Sequence, residues 1–396
     1  MMDVTLSRHR PTVAFVNLDR LAQNFEILRD RLEPGAWLCP MVKANAYGHG
    51  DSAVAARLRR AGATHLGVGL IEEGVHLRQS GDHGAILHFG LFDAMGAQVL
   101  WEERLTPVIS TIEGLESWAR VCKQASSAHQ ERRTLHLKIN TGMNRLGLSP
   151  RDVPRAAEMI AANKLLYLEG VGTHFSDGED AGQIGGRTDL QLKEFESSVQ
   201  ELKKAGLSGF KLHVANSSGL RGLSAGLTPG RIAWGARPGI SLYGVENEML
   251  TPSLGVKPVM QLVSRIVHIQ DVSRGDRVSY GGHWQASRDS RIGVIPCGYA
   301  DGYHRSFTGA SIVVDKLKAR VPVVGTVCMD YFMCDLTDVE SARIGDLVVL
   351  FGDSPSVQEL ADRMETISYE VLTGISERVP RLYVDGSIPI SVPLNS

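Results

Sequence analysis

Little in this sequence points towards a membrane, a nucleic acid or an oxidising compartment. No uninterrupted apolar stretch approaches the roughly 20 residues that a membrane-spanning helix needs, and no apolar targeting segment follows the polar opening around Asp3, Arg8 and Arg10. Charge of one sign is equally scarce. Asp and Glu number 44 against 42 Lys and Arg, a formal net charge of −2, which argues against a nucleic acid or an anionic lipid surface as partner. The five cysteines (Cys39, Cys122, Cys297, Cys328 and Cys334) are odd in number and form no Cys-Xaa-Xaa-Cys pair. They read as reduced, buried small hydrophobes, so neither a disulfide framework nor a metal ligand set is expected. Low-complexity tracts and internal repeats are also missing. Together these absences predict a cytoplasmic protein without membrane, nucleic-acid or metal partners.

What is present is enough for two folded units. A length of 396 residues exceeds one ordinary core, and 43% hydrophobic with 22% charged residues describes a globular chain. After Leu18, the positions Leu21, Phe25, Leu28 and Leu32 step by three and four, the spacing of an amphipathic helix. Apolar or β-branched runs then recur at 37–43, 65–70, 86–91, 106–110, 135–140, 168–174, 211–215 and 236–241. Helical patterns separate them, for example at 51–61, 71–80 and 189–204. Eight strand–helix units suit a (β/α)8 barrel, with a doubly wound sheet as the alternative. After Tyr243-Gly244 the texture changes: 259–271 alternates, Gly-Asp turns stand at 275–276 and 345–346, and β-rich runs occupy 312–314, 321–327 and 347–351. Only 356–366 and 369–375 read as helical there. The expected fold is a barrel over residues 1–245 followed by a mostly β C-terminal domain over 246–396, joined in the polar stretch 246–252.

Lys43 closes the apolar run Ala36-Trp37-Leu38-Cys39-Pro40-Met41-Val42. An ammonium at the end of a buried strand is poorly solvated, and burial frees its amine as a nucleophile or base. An aldehyde cofactor such as pyridoxal phosphate uses such a lysine as its covalent anchor. The alternative is a lysine that snorkels to solvent. Lys138, His174, His213 and Arg237 also fall within or at the ends of expected strands, mostly towards the C-terminal side. That face carries the active site of a barrel. Arg237-Pro238-Gly239 is either a turn that opens backbone N–H groups to a phosphate or an ordinary strand-to-loop junction. Asn216 and Ser217 are common turn formers, so His213-Val214-Ala215-Asn216-Ser217 is weak by itself.

The string Met41-Val42-Lys43-Ala44-Asn45-Ala46-Tyr47-Gly48-His49-Gly50 closely resembles the cofactor-lysine segment of the alanine racemase family. Further segments resemble that family in the same order along essentially the whole chain. They include Leu135 to Gly147, His213 to Gly219, Trp234 to Gly244, Arg277 to Gly281, Gly298 to Gly302 and Gly325 to Asp330. The resemblance implies that Lys43 carries pyridoxal 5'-phosphate. It implies that Tyr47, Ser217 and the backbone of Gly239 and Ile240 bind the phosphate, with Asn216 in the same segment and His174 near the ring. Arg237 faces the ring nitrogen, and His213 holds Arg237. Because an arginine keeps its proton, it donates to an unprotonated nitrogen. That weakens the electron sink and favours racemisation over transamination. Lys138 matches a lysine that is carbamylated in many members, whose anion orients Arg145 towards cofactor and substrate carboxylate. Tyr280 matches the opposing base, Tyr299 a residue lining substrate access, and Met329 the backbone N–H that meets the substrate carboxylate. Two departures stand out. Glu377 occupies a place where many members have a tyrosine at the inner gate, and His283-Trp284 follows Gly282 where many have smaller residues.

The implied reaction is interconversion of L- and D-alanine, supplying D-alanine for cell-wall peptidoglycan, with Lys43 and Tyr280 as bases on opposite faces of the α-carbon. A racemase of broader or serine preference is the alternative within the family. A non-catalytic cofactor carrier would not need the large β domain, and a decarboxylase of similar architecture would carry a glycine-rich phosphate loop that is missing here. A barrel face open to water would expose the anchored cofactor. Something must therefore cover it. The resemblance implies a homodimer in which the β domain of each subunit caps the barrel of the other, so that Tyr280, Tyr299 and Met329 serve the opposite barrel's lysine. The alternative is a monomer whose β domain folds back over its own barrel.

Overall fold

The computed structural model describes residues 10–125, 132–180, 183–226, 235–246 and 253–386. Parallel strands follow one another around a sheet in chain order: His65–Val68, Ala85–His88, Thr106–Ile109, Arg133–Lys138, Leu166–Gly172, Lys211–Ala215 and Gly235–Ala236. Residues 37–42 close the ring. The Cys39 N–H donates to the Ala236 carbonyl at 2.9 Å, and the Val42 N–H donates to Gly67 at 2.8 Å. This eighth stave is two isolated bridges, not the regular strand expected over 37–43. Pro40 explains the difference, because it brings no N–H to a ladder. The (β/α)8 barrel is otherwise as expected, and helices alternate with the strands from Leu18–Asp30 to Ser217–Gly226. The first of these is capped by the Asn17 side chain, which accepts the Arg20 N–H at 2.8 Å, and it buries Leu21, Phe25 and Leu28.

The remaining strands form a nine-stranded sheet in the order His268–Val272, Ser290–Ile295, Phe332–Asp335, Ala319–Val324, Ser311–Val314, Leu347–Phe351, Met260–Arg265, Val13–Asn17, Arg381–Val384. Pairing is antiparallel up to the last pair, which is parallel. Val13–Asn17 falls within the range expected for the barrel, yet it is hydrogen-bonded into this second sheet. Its burial explains why. Ala14 and Val16 enter the main core, while Val13 and Phe15 pack on the opposite face against Val263, Val313 and Val349. A run apolar on both faces suits an interior strand, and both of its edges are paired. The chain thus begins in one unit and passes into the other. From residue 247 onwards, the expected junction at 246–252 lies outside the described residues.

The helix Ser368–Thr373 of the β unit reaches the barrel mouth. A Cβ at Gly48 would come within 2.3 Å of the Leu372 carbonyl oxygen, and Gly48 has φ +82°. Both the close approach and the dihedral require glycine at that point.

Candidate active site

A cavity of about 450 Å³ opens at the C-terminal ends of the barrel strands, a size suited to a small ligand. Lys43, Tyr47, Lys138, Arg145 and His174 line it, together with His213, Asn216, Ser217, Arg237 and Gly239. Ile240 is buried and does not line it.

Lys43 is presented by an unusual backbone. Ala44, Asn45, Ala46 and Tyr47 have φ of 52°, 53°, 52° and 54°. This is a left-handed helical turn where the sequence suggested a strand end, and each such L-residue costs about 1–2 kcal/mol. The turn holds because its polar groups are engaged. The Ala46 N–H donates to Val42 at 2.9 Å, Gly48 to Ala44 at 3.0 Å and Gly50 to Asn45 at 3.0 Å. The Glu73 carboxylate accepts the N–H groups of Ala44 (2.6 Å), Gly69 (2.8 Å) and Leu70 (3.0 Å). Strain of this kind persists where surrounding structure over-determines it, commonly at functional sites. The consequence is geometric: Lys43 and Tyr47 both reach the cavity from one turn.

The Tyr47 hydroxyl lies over Gly239, where a Cβ would approach it to 2.2 Å. Ser217 Oγ accepts the N–H groups of Gly239 at 3.1 Å and Ser241 at 3.3 Å. Ser217 also opens the helix Ser217–Gly226, whose first turn presents backbone donors. The tyrosine hydroxyl, the serine hydroxyl that the Gly239 N–H holds in place, and the helix start form a cradle for a small anion. Asn216 lines the cavity, but its side chain is engaged in the scaffold. It donates to Phe175 O at 3.2 Å and accepts the Gly219 N–H at 2.8 Å.

Arg237 is buried and fully oriented. Nη1 donates to His213 Nδ1 at 2.6 Å and to His213 O at 2.7 Å, and Nη2 donates to the carbonyls of Thr173 and Val214. Its Nε–H has no acceptor among the described residues, and Arg237 lines the cavity. Lys43, Lys138, Arg145 and Arg237 converge here, with no Asp or Glu among the described residues of the cavity wall. Burial and then Arg145 lower the Lys43 pKa. Burial, then Arg237, Arg145 and Lys43, lower that of Lys138 to about 8. Burial and the same cations push His174 down to about 2, so it is neutral at working pH. Arg237 is lowered by burial to about 10 and keeps its charge. Such a cavity favours ligands bearing several negative charges.

Tyr280, Tyr299 and Met329 do not line this cavity. They sit on the β unit and are 71%, 39% and 52% exposed. Backbone contacts join them into one patch: Thr326 Oγ1 donates to the Tyr280 carbonyl at 2.9 Å, and the Ala300 N–H donates to the Met329 carbonyl at 3.1 Å. Glu377 is exposed and away from the cavity wall, as is His283. The tyrosine at the mouth is Tyr369, which lies 5.8 Å from Tyr47 between ring centroids and was missed in the sequence. It stands on a short helix of the other unit, so only its Ser368-Tyr369 position at a helix start could have hinted at it.

Comparison with known proteins adds an independent finding. Residues 16–247 match the family model described as alanine racemase, N-terminal domain, and residues 259–383 match alanine racemase, C-terminal domain. Over 387 residues the chain is 35% identical to alanine racemase of Geobacter sulfurreducens, covering 96% of this chain and 98% of that one. The crystal structure of alanine racemase from D-cycloserine producing Streptomyces lavendulae aligns with a TM-score of 0.86 at 29% identity, over 96% of this chain and 98% of that one. Alanine racemase from Bartonella henselae, solved with covalently bound pyridoxal phosphate, has the same fold. Its TM-score is 0.82 at 24% identity, over 94% of this chain and 99% of that one.

Proposed function

Because the chain belongs to the alanine racemase family of isomerases, we propose that it interconverts L- and D-alanine with pyridoxal phosphate held on Lys43. The observation that carries the reading is the meeting of that lysine, three further cations (Lys138, Arg145 and Arg237) and an anion cradle in one cavity. The residues fit the cofactor. Tyr47, Ser217 and the Gly239 backbone suit its phosphate, and the free Nε–H of Arg237 suits an unprotonated ring nitrogen. Gly239, without a side chain, lets the Tyr47 hydroxyl lie against its backbone at the cavity wall. When bound, the cofactor supplies an electron sink for the pair left behind when the α-proton departs.

This chain's own residues do the rest. The Lys43 amine, poised by its lowered pKa, takes or returns the α-proton on one face. Tyr280 acts on the opposite face, which makes inversion the outcome. Arg145 and the Met329 N–H orient the substrate carboxylate. Lys138, partly unprotonated because of its surroundings, is suited to carbamylation by carbon dioxide, which would place an anion among the cations. The exposure of Tyr280, Tyr299 and Met329 supports a homodimer, with the β unit of one subunit over the barrel of the other. The role we assign to the product is supply of D-alanine for peptidoglycan, in the cytoplasm.

The test is direct. Reconstituted protein should show a visible absorption band that borohydride fixes onto the peptide containing Lys43. Circular dichroism on an amino-acid panel should show alanine racemised fastest. Attachment elsewhere, or a faster rate with serine, overturns the respective part.

A further inference from the structure

The barrel interior beneath Arg237 is polar where branched aliphatic residues usually dominate. His65, His136 and His213 are buried there around the indole of Trp37, whose ring centroid lies 5.0, 5.5 and 5.0 Å from theirs. The sheet has been cleared for two of them. A Cβ at Gly170 would strike the His136 ring at 2.2 Å, and one at Gly172 the His213 ring at 2.3 Å. From Arg237 a continuous chain runs inward. Nη1 meets His213 Nδ1 at 2.6 Å, His213 Nε2 meets His136 Nδ1 at 2.9 Å, and His136 Nε2 meets Glu169 Oε2 at 3.4 Å. Glu169 in turn faces His65 Nε2 at 3.4 Å and Lys211 Nζ at 2.8 Å.

Every proton in this chain has an assigned place. A guanidinium only donates, so His213 Nδ1 accepts and the His213 proton sits on Nε2. His136 Nδ1 must then accept, which leaves its proton on Nε2, pointing at Glu169. The second arm gives the same direction. The Trp37 indole N–H donates to His65 Nδ1 at 3.0 Å, so the His65 proton sits on Nε2 and also points at Glu169. Burial holds His136 and His213 below the ordinary imidazole pKa, and for His213 the Arg237 charge adds to this. Hydrogen bonds from His136, His65 and Lys211 hold Glu169 as a carboxylate.

We propose that Glu169 is a positioning residue for the reaction: through His136 and His213 it fixes both histidine tautomers, so that Arg237 meets only acceptors on its inner side and its free N–H stays aimed into the cavity. This rests on the reading above that Arg237 faces the cofactor ring nitrogen. With a neutral amide in place of Glu169, the amide N–H₂ can turn towards His136 Nε2. That reverses His136 and sets two N–H groups against each other at His213. Arg237 then loses its best acceptor, and control over the ring nitrogen weakens.

Two measurements test this. In cofactor-free protein with ¹⁵N-labelled histidine, long-range proton–nitrogen spectra should show His213 and His136 as neutral Nε2–H tautomers at neutral pH. Glu169→Gln should give a mixture at one or both rings while the melting temperature stays close to wild type. Finding either ring as Nδ1–H or doubly protonated in the unaltered protein overturns the relay, whether or not the variant folds. In the loaded enzyme, Glu169→Gln should raise the ratio of pyridoxamine phosphate formed to alanine racemised about tenfold, and Arg237→Gln more. If Arg237→Gln shifts that ratio and Glu169→Gln does not, the relay is wrong. If Arg237→Gln leaves it unchanged, the placement of Arg237 is wrong, and the tautomer spectra still judge the relay.

Discussion

The barrel mouth and the β-unit patch are built in opposite ways. At the mouth, Tyr47, Ser217, Lys138 and Arg237 are buried, and the cations outnumber any countercharge in the wall. On the patch, Tyr280 is 71% exposed, with Tyr299 and Met329 also open. Both are mounted on costly backbone. The mouth has the left-handed turn after Lys43. The patch has Ser279 at φ 67°, ψ −178°, a region almost reserved for glycine, held by its hydroxyl donating to Thr326 O at 2.6 Å. The difference teaches that one half encloses its cationic groups in a cavity suited to an anionic ligand, while the other leaves its hydroxyl and backbone groups open at the surface of this chain. In the proposed dimer the two halves complete each other.

The strongest way to break that comparison is to remove one group from each half. Lys43→Ala should lose the visible cofactor band and about 10⁴-fold or more in racemisation. Tyr280→Phe should keep the band and lose about 10²–10⁴-fold, the usual worth of a positioned proton-transfer group. Near wild-type activity in Tyr280→Phe would remove it from the chemistry.

Mixing these two inactive variants, with subunit exchange proven by mass labels, sharpens the comparison further. Half the dimers are then mixed, each with one intact site of two, so activity should return to about a quarter of wild type. No recovery means that mouth and patch act within one chain.

The mouth's charge crowding predicts a pH-dependent gain in stability. Burial and neighbouring cations depress the Lys138 pKa to about 8, below its value in the unfolded chain. The penalty is therefore complete below about pH 8 and fades as pH rises towards the unfolded value. Lys138→Met should stabilise cofactor-free protein by roughly 2 kcal/mol at pH 7, and by much less near pH 10, in urea titrations at both pH values. A gain independent of pH assigns the effect to packing instead.

The smallest effect concerns the left-handed turn. Ala44 is exposed with φ 52°. Ala44→Gly should be neutral or stabilising by up to about 1 kcal/mol, while Ala44→Val should cost about 1–2 kcal/mol. Equal melting temperatures for both would show that the turn relaxes.

Much of this was legible in the chain, for identifiable reasons. The barrel staves showed because each is a short apolar run bounded by a helical period, and local periodicity needs no partner to be read. Lys43, Lys138, His213 and Arg237 showed because each falls within or at the end of such a run, mostly towards its C-terminal side, and that side of a barrel converges on one face. Val13–Asn17 was misplaced because an apolar run does not say which sheet it joins. Tyr369 was missed because it reaches the mouth from another unit on a six-residue helix. Glu169 escaped notice because a lone carboxylate in Leu168-Glu169-Gly170 gains meaning only beside His136, and that neighbour lies 33 positions away in sequence.

By itself the sequence determined the succession of strand and helix patterns and the chemical types available: a lysine with a free amine, hydroxyls, cations and single glycines at turns. These follow from side-chain period and composition, which act over a few residues. Only the tertiary structure decided that residues 44–47 wind left-handed, that four cations share one cavity, and that His213 and His136 line up between Arg237 and Glu169. Those outcomes depend on the distance, burial and direction of donors brought together from distant parts of the chain, and such quantities exist only once the barrel has closed.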